Sequence, residues 1–285
     1  MRIDLHTHTS ASDGTDTTAQ LMAMAVQAGL DVIGLTDHDT TDGWPGAAAA
    51  RPANLTLIRG AEFSTRVRLP QHTVSIHLLG YLFDPTEPAI VAEQARLVGE
   101  RLHRGLAMVD LMVADGLPIS RQQVLEIAAG APVGRPHLGM ALVQSGVVPT
   151  VTDAFNSYLA NRGGYYVPKA DTELTTAVQL IASSGGASVI AHPRGRGEFR
   201  ALTAELIGEL ADLGLAGLEV DHPDHDAADR AELAEIAQRY QLIRTGSSDY
   251  HGHNKKLRLG QHTTTPDALQ RLISRTSGVT PALAG

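Results

Sequence analysis

Short apolar runs recur along this chain, and most of them end in a histidine, an aspartate or a glutamate. The run 3–5 leads into His6, 32–36 into Asp37 and His38, 55–61 into Glu62, and 187–191 into His192. The run 217–220 contains Glu219 and ends at Asp221 and His222, and 242–245 continues to Asp249 and His251. A longer run, 73–82, carries His77 in alternation with Val74, Ile76 and Leu78. Helical patterns fall between the runs, near 17–28, 41–50, 172–183, 201–213, 227–240 and 266–273. Strand–helix units of this length predict a parallel sheet with helical crossovers, open or closed into a barrel, with its strand C-termini on one face. Core packing gives no reason to place ligand-type side chains at so many strand ends, so they point to one assembled site.

The middle of the chain breaks this rhythm. From 86 to 162 there is no strand pattern, only a long helical stretch at 87–114 and shorter ones near 121–129, 136–144 and 152–160. Helix-only sequence interrupting a strand–helix series predicts an inserted helical subdomain. The chain is therefore divided into a barrel, 1–85 and 163–285, and an all-helical insertion, 86–162, covering the site. The last ten residues, 276–285, are expected to fray.

Composition narrows the chemistry. At 285 residues, 43% hydrophobic and 19% charged, the chain can bury a sizeable core. It has no cysteine, which excludes disulfide staples, thiolate zinc sites and cysteine nucleophiles. A net charge of −8 argues against duplex DNA as a partner. No apolar run reaches the roughly 18–20 residues of a membrane span, so no membrane partner is expected. The opening Met-Arg-Ile-Asp-Leu lacks a secretion signal's apolar stretch, and a cytoplasmic location is expected. The 13 histidines outnumber 4 Phe and 1 Trp, an excess that suggests metal ligands or proton carriers.

Residues two apart on a strand share a face, so His6 and His8 can offer two imidazoles to one ion. Imidazole and carboxylate without thiolate suit manganese, ferrous iron or zinc. His6, His8, His38, His77, His192 and His251 with Asp13, Glu62 and Asp249 exceed what one ion can use. With Glu62 as a bridge they would serve three divalent ions. Three such ions facing three carboxylates leave the site about three charges positive, which favours an anionic substrate with several oxygens and hence phosphoryl chemistry. An amide would leave that charge unanswered.

Asp4-Leu5-His6-Thr7-His8-Thr9 with Ser12-Asp13-Gly14, Thr36-Asp37-His38, Gly60-Ala61-Glu62, Ala191-His192-Pro193 and Ser248-Asp249-Tyr250-His251 resemble, in order, the motifs of the PHP (polymerase and histidinol phosphatase) family. The resemblance implies a distorted (β/α)7 barrel and a trinuclear metal centre, manganese being the first choice and iron or zinc the alternatives. It implies one ion on His6, His8, Glu62 and Asp249, a second on Glu62, His77 and His192, and a third on Asp13, His38 and His251. His77 rests on the loosest of these motifs, with His72 nearby. Gly134-Arg135-Pro136-His137, Tyr166-Val167-Pro168-Lys169 and His192-Pro193-x-Arg194 resemble more closely the short bacterial members that act on nucleotides. Those are the 3′,5′-nucleoside bisphosphate phosphatases and the 5′→3′ exoribonucleases of the RNase AM type.

The resulting expectation is a metal-dependent phosphoesterase in which a hydroxide on the metal site attacks phosphorus. Arg135, Lys169 and Arg194 are expected to grip phosphate, with His137 and His222 beside them and His222 as candidate leaving-group acid. Asp37 and Asp39 are expected to orient His38 and its neighbours. The expected partner is a nucleotide with two phosphates or the 5′ end of a short RNA, with Tyr165, Tyr166 and Tyr250 as the candidate stacking aromatics. His103, His225, His253 and His262 fit no motif and are expected to face solvent. Competing readings are a histidinol-phosphate phosphatase, which the Gly134–His137 motif argues against, a metal-dependent amidohydrolase, and a non-catalytic accessory module.

Overall fold

The computed structural model describes residues 1–161, 163–195 and 201–284; the predicted segment ends at 162 and 285 lie outside them. The apolar runs form β1 (Ile3–Thr7), β2 (Val32–Leu35), β3 (Thr56–Arg68), β4 (Thr73–Tyr81), the two-residue β5 (Thr172–Glu173), β6 (Ala187–Ile190), β7 (Leu215–Asp221) and β8 (Ile243–Gly246). They build one sheet in the order β1-β2-β3-β4-β6-β7-β8, with β5 against β3. The sheet curls until its ends meet. Tyr250, just past β8, bridges Thr7 and accepts the His8 N–H (2.9 Å), while Thr264 N–H donates to Ile3 O (2.9 Å). The result is the distorted α/β barrel expected from the motifs.

One expectation is corrected. β1, β2 and β3 run parallel, as do β6, β7 and β8, but β4 is antiparallel to both β3 and β6. Residues 69–72 alone join β3 to β4, long enough for a hairpin and far too short for a crossover, which takes a dozen residues or more. β3 also continues past the expected end at residue 61 to Arg68, so Glu62 stands inside a strand rather than after it.

Helices α1 (Thr18–Gln27), α2 (Gly43–Ala50), α7 (Leu174–Ser183), α8 (Ala204–Asp212) and α9 (Ala227–Arg239) cover one face of the sheet. Leu21, Met22, Trp44, Val178, Ile207 and Leu233 pack there against Ile33, Leu35, Phe63 and Leu218. The alternate strand residues Ile58, Leu79, Val189 and Ile243 join Ile3 and Leu5 in a second cluster, closed by Leu269 and Leu272 of α10 (Pro266–Ser274). Thr17 starts α1 with a capping box through Gln20, and Gly29 follows it at φ +73°, the left-handed conformation that ends a helix. Gly34 is required by packing, since a Cβ there would lie 2.2 Å from Leu5 O.

Between β4 and β5 the chain forms α3 (Pro88–Ala114), α4 (Arg121–Ala128), α5 (Arg135–Gln144) and α6 (Val151–Ser157), with no strand among the described residues. The first half of α3 gives Ile90 and Leu97 to the barrel core. Its second half gives Met108, Val109 and Met112 to a separate cluster with Val124, Leu138, Leu142 and Leu159. One long helix thus belongs to both cores. Among the described residues no helix is long and apolar enough to cross a membrane.

Candidate metal centre and its cavity

Ligand-type side chains converge where the strands end. His6 and His8 bring their Nε2 atoms within 3.0 Å of each other, and both lie 3.1–3.2 Å from Glu62 Oε2 and 3.4–3.5 Å from Asp249 Oδ1. On the other side of His8, Asp13, His38 and His251 gather, with His251 Nε2 3.4 Å from Asp13 Oδ1 and His38 Nε2 3.6 Å from Asp13 Oδ2. His38, Glu62 and His77 form a further group, His77 Nδ1 lying 2.7 Å and His192 Nε2 3.2 Å from Glu62 Oε1. Glu62 pairs with Leu79 and Ser64 with His77 across the β3–β4 hairpin, so Glu62 and His77 are diagonal neighbours on one face. His72 is exposed at the hairpin turn and away from this cluster.

These side chains fit divalent cations better than they fit each other. Glu62 Oε2 has three ring nitrogens within 3.2 Å, those of His6, His8 and His38, yet accepts a hydrogen bond from none of them. Asp13 Oδ1, His8 Nδ1 and His38 Nδ1 are likewise buried without a partner. Buried polar atoms ordinarily pair, and atoms that crowd without pairing suit the ligand shell of a cation.

The surrounding residues fix this geometry. Glu219 accepts from His6 Nδ1 (3.1 Å), from the His192 backbone N–H (2.7 Å) and from Ser247 Oγ, so His6 turns Nε2 toward the cluster. His251 donates Nδ1–H to Asp249 O (2.8 Å) and likewise presents Nε2. Asp4 accepts from Ser248 N–H (3.1 Å) and Gly260 N–H (2.7 Å), tying β1 to the loop that bears Asp249. Asp39, His192 and Asp249 all stand at positive φ (+56°, +30° and +53°), a strained turn at the strand ends that aspartate and histidine tolerate better than branched residues.

The field of the site calls for positive charge. Burial raises the Glu62 carboxyl, but the imidazoles of His38, His77 and His6 outweigh it and hold it well below the ordinary range. Burial likewise opposes charge on His8, yet Asp249 and Glu62 push it up to about 9. His192 is pushed down to about 4, by burial first, and His38 and His251 are lowered too, which leaves neutral lone pairs for coordination. Glu219 is held down at about 2, the charges on His6 and His222 overcoming its burial.

A cavity of about 410 Å³ opens above this cluster. Asp13, His38, His77, His192 and His251 line one side. The helical segment lines the other, with Arg101 and Arg104 from α3, Arg135 and Pro136 from α5, and Val151, Phe155 and Asn156 from α6. Lys169, Asp171, Tyr166, Asn254 and Lys255 also line it.

The predicted residues divide accordingly. Arg135 and Lys169 face the cavity, Arg135 bonding Leu159 O (2.9 Å) and Asn161 Oδ1 (2.6 Å) and passing 5.3 Å over the Phe155 ring. Arg194 does not line it; its guanidinium meets the Glu232 carboxylate (3.0 and 3.2 Å) on α9. His137 is buried and caps α5 by accepting the Gly134 N–H (2.9 Å). His222 sits behind the cluster, its Nε2 3.8 Å from Asp249 Oδ2. Asp37 accepts from Thr9 and Ser12, so it anchors the loop carrying Asp13 rather than His38. Asp39 holds Ser64 and Arg101. His225 is not at the surface: it is buried, donating to Val220 O (2.8 Å) and accepting the Arg194 N–H (3.1 Å). Of the expected aromatics only Tyr166 lines the cavity; Tyr165 bonds Asp115 and Tyr250 bonds Asp16. Arg101, Arg104, Phe155 and Lys255 were missed, because a cation or aromatic within a helix or loop carries no local mark of the cavity it will face. Glu219 did carry one, a carboxylate inside an apolar strand.

Known proteins share this fold. Residues 4–111 match the PHP domain. A 5′-3′ exoribonuclease, Rnm, of Salmonella typhimurium is 31% identical over 94% of this chain and 91% of its own. A 3′,5′-nucleoside bisphosphate phosphatase of Chromobacterium violaceum is 32% identical over 96% and 95%. A solved structure from Bifidobacterium adolescentis, assigned to the metal-dependent phosphoesterases, superposes with a TM-score of 0.91 at 33% identity, covering 96% of each chain. Fold and site define a phosphoester hydrolase of the kind that depends on metal. The chain belongs to the PHP-domain family.

Proposed function

We propose that this hydrolase acts on nucleotides, removing the 3′-phosphate of a 3′,5′-nucleoside bisphosphate or cleaving from the 5′-phosphorylated end of a short RNA. The observation that carries the reading is the cavity, which sets the histidine–carboxylate cluster against a wall rich in cations and an apolar patch of Pro136, Val151 and Phe155. A phosphate faces the cluster while a nucleoside lies against that patch, which is the usual division of a small-molecule site. Of the relatives named above, one is a 5′-3′ exoribonuclease and another a 3′,5′-nucleoside bisphosphate phosphatase.

Three divalent ions, manganese first, are proposed for the cluster: one on His6, His8, Glu62 and Asp249, one on Glu62, His77 and His192, and one on Asp13, His38 and His251. Bound there, they supply Lewis-acid polarisation of the phosphoryl oxygens and an activated water. The chain supplies the rest. Glu219 keeps the His6 ring turned, Arg135 and Lys169 meet charge that grows on the phosphoryl oxygens, and the segment 86–162 roofs the barrel formed by 1–85 and 163–285. His222, behind the cluster with its Nε2 3.8 Å from Asp249 Oδ2, is assigned to steady Asp249 rather than to reach the leaving oxygen.

Phosphate release by the manganese-loaded protein tests the reading. The panel is adenosine 3′,5′-bisphosphate, a 5′-phosphorylated RNA oligomer and histidinol phosphate. Preference for the first two supports it; turnover of histidinol phosphate alone keeps the chemistry and discards the substrate.

A further inference from the structure

The stretch from Tyr250 to Pro266 contains no carboxylate, in a chain whose net charge is −8. Of the three lysines in the sequence, two stand side by side here, Lys255 and Lys256, and Arg258 follows. Like charges this close repel one another, so they suit an anionic partner better than they suit the fold. The loop that carries them is held at both ends. Thr15 N–H donates to His251 O (3.2 Å), Thr15 Oγ1 accepts the His253 N–H (3.1 Å), and Asn254 Nδ2 donates to Asp13 O (3.3 Å). Gly252 stands at φ +73°, and a Cβ there would strike Thr15 Oγ1. Further on, Gly260 N–H donates to Asp4 Oδ2 (2.7 Å). Between these anchors Lys256 and Arg258 are exposed, and among the described residues neither side chain makes a hydrogen bond or ion pair.

The same loop borders two concavities. Asn254 and Lys255 line the cavity above the metal cluster. His253, Leu257 and Arg258 line a second groove, of about 920 Å³, which reaches α1 and has Arg2, Asp16 and Tyr250 in its wall. The Arg2 guanidinium donates to the carbonyls of Ala28 and Gly260, neutral partners that leave its charge standing. Arg2 and Arg258 in the groove, with Lys256 on its rim, thus stand against one carboxylate, Asp16, which Tyr250 OH already holds (2.7 Å). Lys255 adds nothing to this excess, since Asp249 claims it (2.6 Å).

We propose that the loop 252–258 and the groove beside it carry the downstream strand of a single-stranded RNA whose 5′ end occupies the cavity. The inference rests on the nucleotide reading above. An RNA held with a phosphodiester at the metal cluster continues past that phosphorus, and the rest of the chain must leave the cavity. The rim formed by Asn254 and Lys255 leads from the cluster to a second basic groove, and phosphates that cross it meet Lys256 and Arg258 in turn. Cations arranged in this way track a backbone without reading its bases. The exposed imidazole of His253 offers a ring on which a base can stack. Because the loop is anchored before the strand arrives, binding carries little cost of ordering it. A mononucleotide has no downstream strand, so the two proposed substrates part company here: RNA gains from its length and the bisphosphate does not.

The test measures the initial release of 5′-AMP by the manganese-loaded full chain. The substrates are 5′-phosphorylated oligoadenylates of two, four and eight nucleotides, with adenosine 3′,5′-bisphosphate beside them. The expected wild type shows a KM that falls as the RNA lengthens. Lys256→Gln combined with Arg258→Gln raises KM for the longest RNA about tenfold and lowers the slope of log KM against log salt by about 1.4, the counterion release of two single-strand phosphate contacts. The same variant leaves KM and kcat for the bisphosphate within about twofold of wild type, as loss of a contact made only by the longer substrate requires. Both substituted residues are exposed, and thermal melting checks that the variant is folded. A KM independent of length, a bisphosphate that is hydrolysed while no RNA is cleaved, or a variant that shifts the bisphosphate as much as the RNA or shifts neither, overturns the track and leaves the nucleotide reading standing. A wild type that acts on neither but releases phosphate from histidinol phosphate overturns the nucleotide reading itself, and the track with it.

Discussion

Arg101, midway along α3, donates Nε–H to Asp39 Oδ2 and a second N–H to Ser64 Oγ (2.9 Å), with both ends of the ion pair buried. The pair ties the helical segment to the strand end that carries His38. It also explains why Asp39 is held down: Arg101 and Lys169 offset its burial.

Arg101→Leu should therefore leave Asp39 buried without its partner. The expected cost is about 3–5 kcal/mol in urea unfolding. Arg101→Leu combined with Asp39→Asn should recover a large part of it, because the stranded charge is then gone. Additive losses in the double variant would show that the two residues do not act as a pair.

Glu219 does not itself line the cavity, yet it holds the ring of His6 through Nδ1. Glu219→Gln keeps the shape and removes the charge. Activity titrated with manganese should show affinity weakened about 10- to 100-fold, the usual effect of losing a carboxylate behind a ligating histidine. An unchanged titration would mean that His6 is held by packing alone.

Asp13 brings its carboxylate within 3.4 Å of His251 Nε2 and 3.6 Å of His38 Nε2. Asp13→Ala should lower metal content, measured by elemental analysis, from about three ions per chain to about two, and remove most turnover. The variant should melt as a folded barrel, since Asp13 lies in a loop outside the strands. Full metal content with normal turnover would exclude an ion at this position.

Lys169 is the group with a pH signature. Burial, then the charge on Arg101, lowers its ammonium to about 8, against 10.5 for an ordinary lysine. Below pH 8 the ammonium is charged in folded and unfolded chains alike, and the folded state bears the full penalty, on the order of 3 kcal/mol. Between 8 and 10.5 the unfolded chain binds more protons, so stability should rise with pH through that window. Turnover should move the other way, because the neutral amine no longer attracts phosphate. Unfolding of wild type and Lys169→Met across this range checks both: the variant should lack the rise.

The candidate cluster of imidazoles and carboxylates was legible because its residues sit where strands stop. A run such as Val32–Leu35 followed by Asp37 and His38 announces both the strand and the side chains delivered at its end. His77 was legible through alternation along β4. The direction of β4 was harder to read, although the short link at 69–72 held the answer. Arg194 and His137 show the opposite failure, since each sits in a suggestive motif and each is turned by a neighbour elsewhere in the chain, Glu232 and the Gly134 N–H.

By itself, then, the sequence determined the α/β class, the helical interruption and the inventory of imidazoles and carboxylates, because these follow from local periodicity and residue chemistry. Tertiary structure decided which cations face the cavity and which are spent. Arg101 and Arg104 have the same chemistry and lie one helical turn apart, yet one is claimed by Asp39, a partner 62 residues away in sequence, while the Nε of the other is buried with no hydrogen-bond partner among the described residues. The physical reason is that a guanidinium's role is set by where its counter-charge lies, and only the folded chain brings the two together.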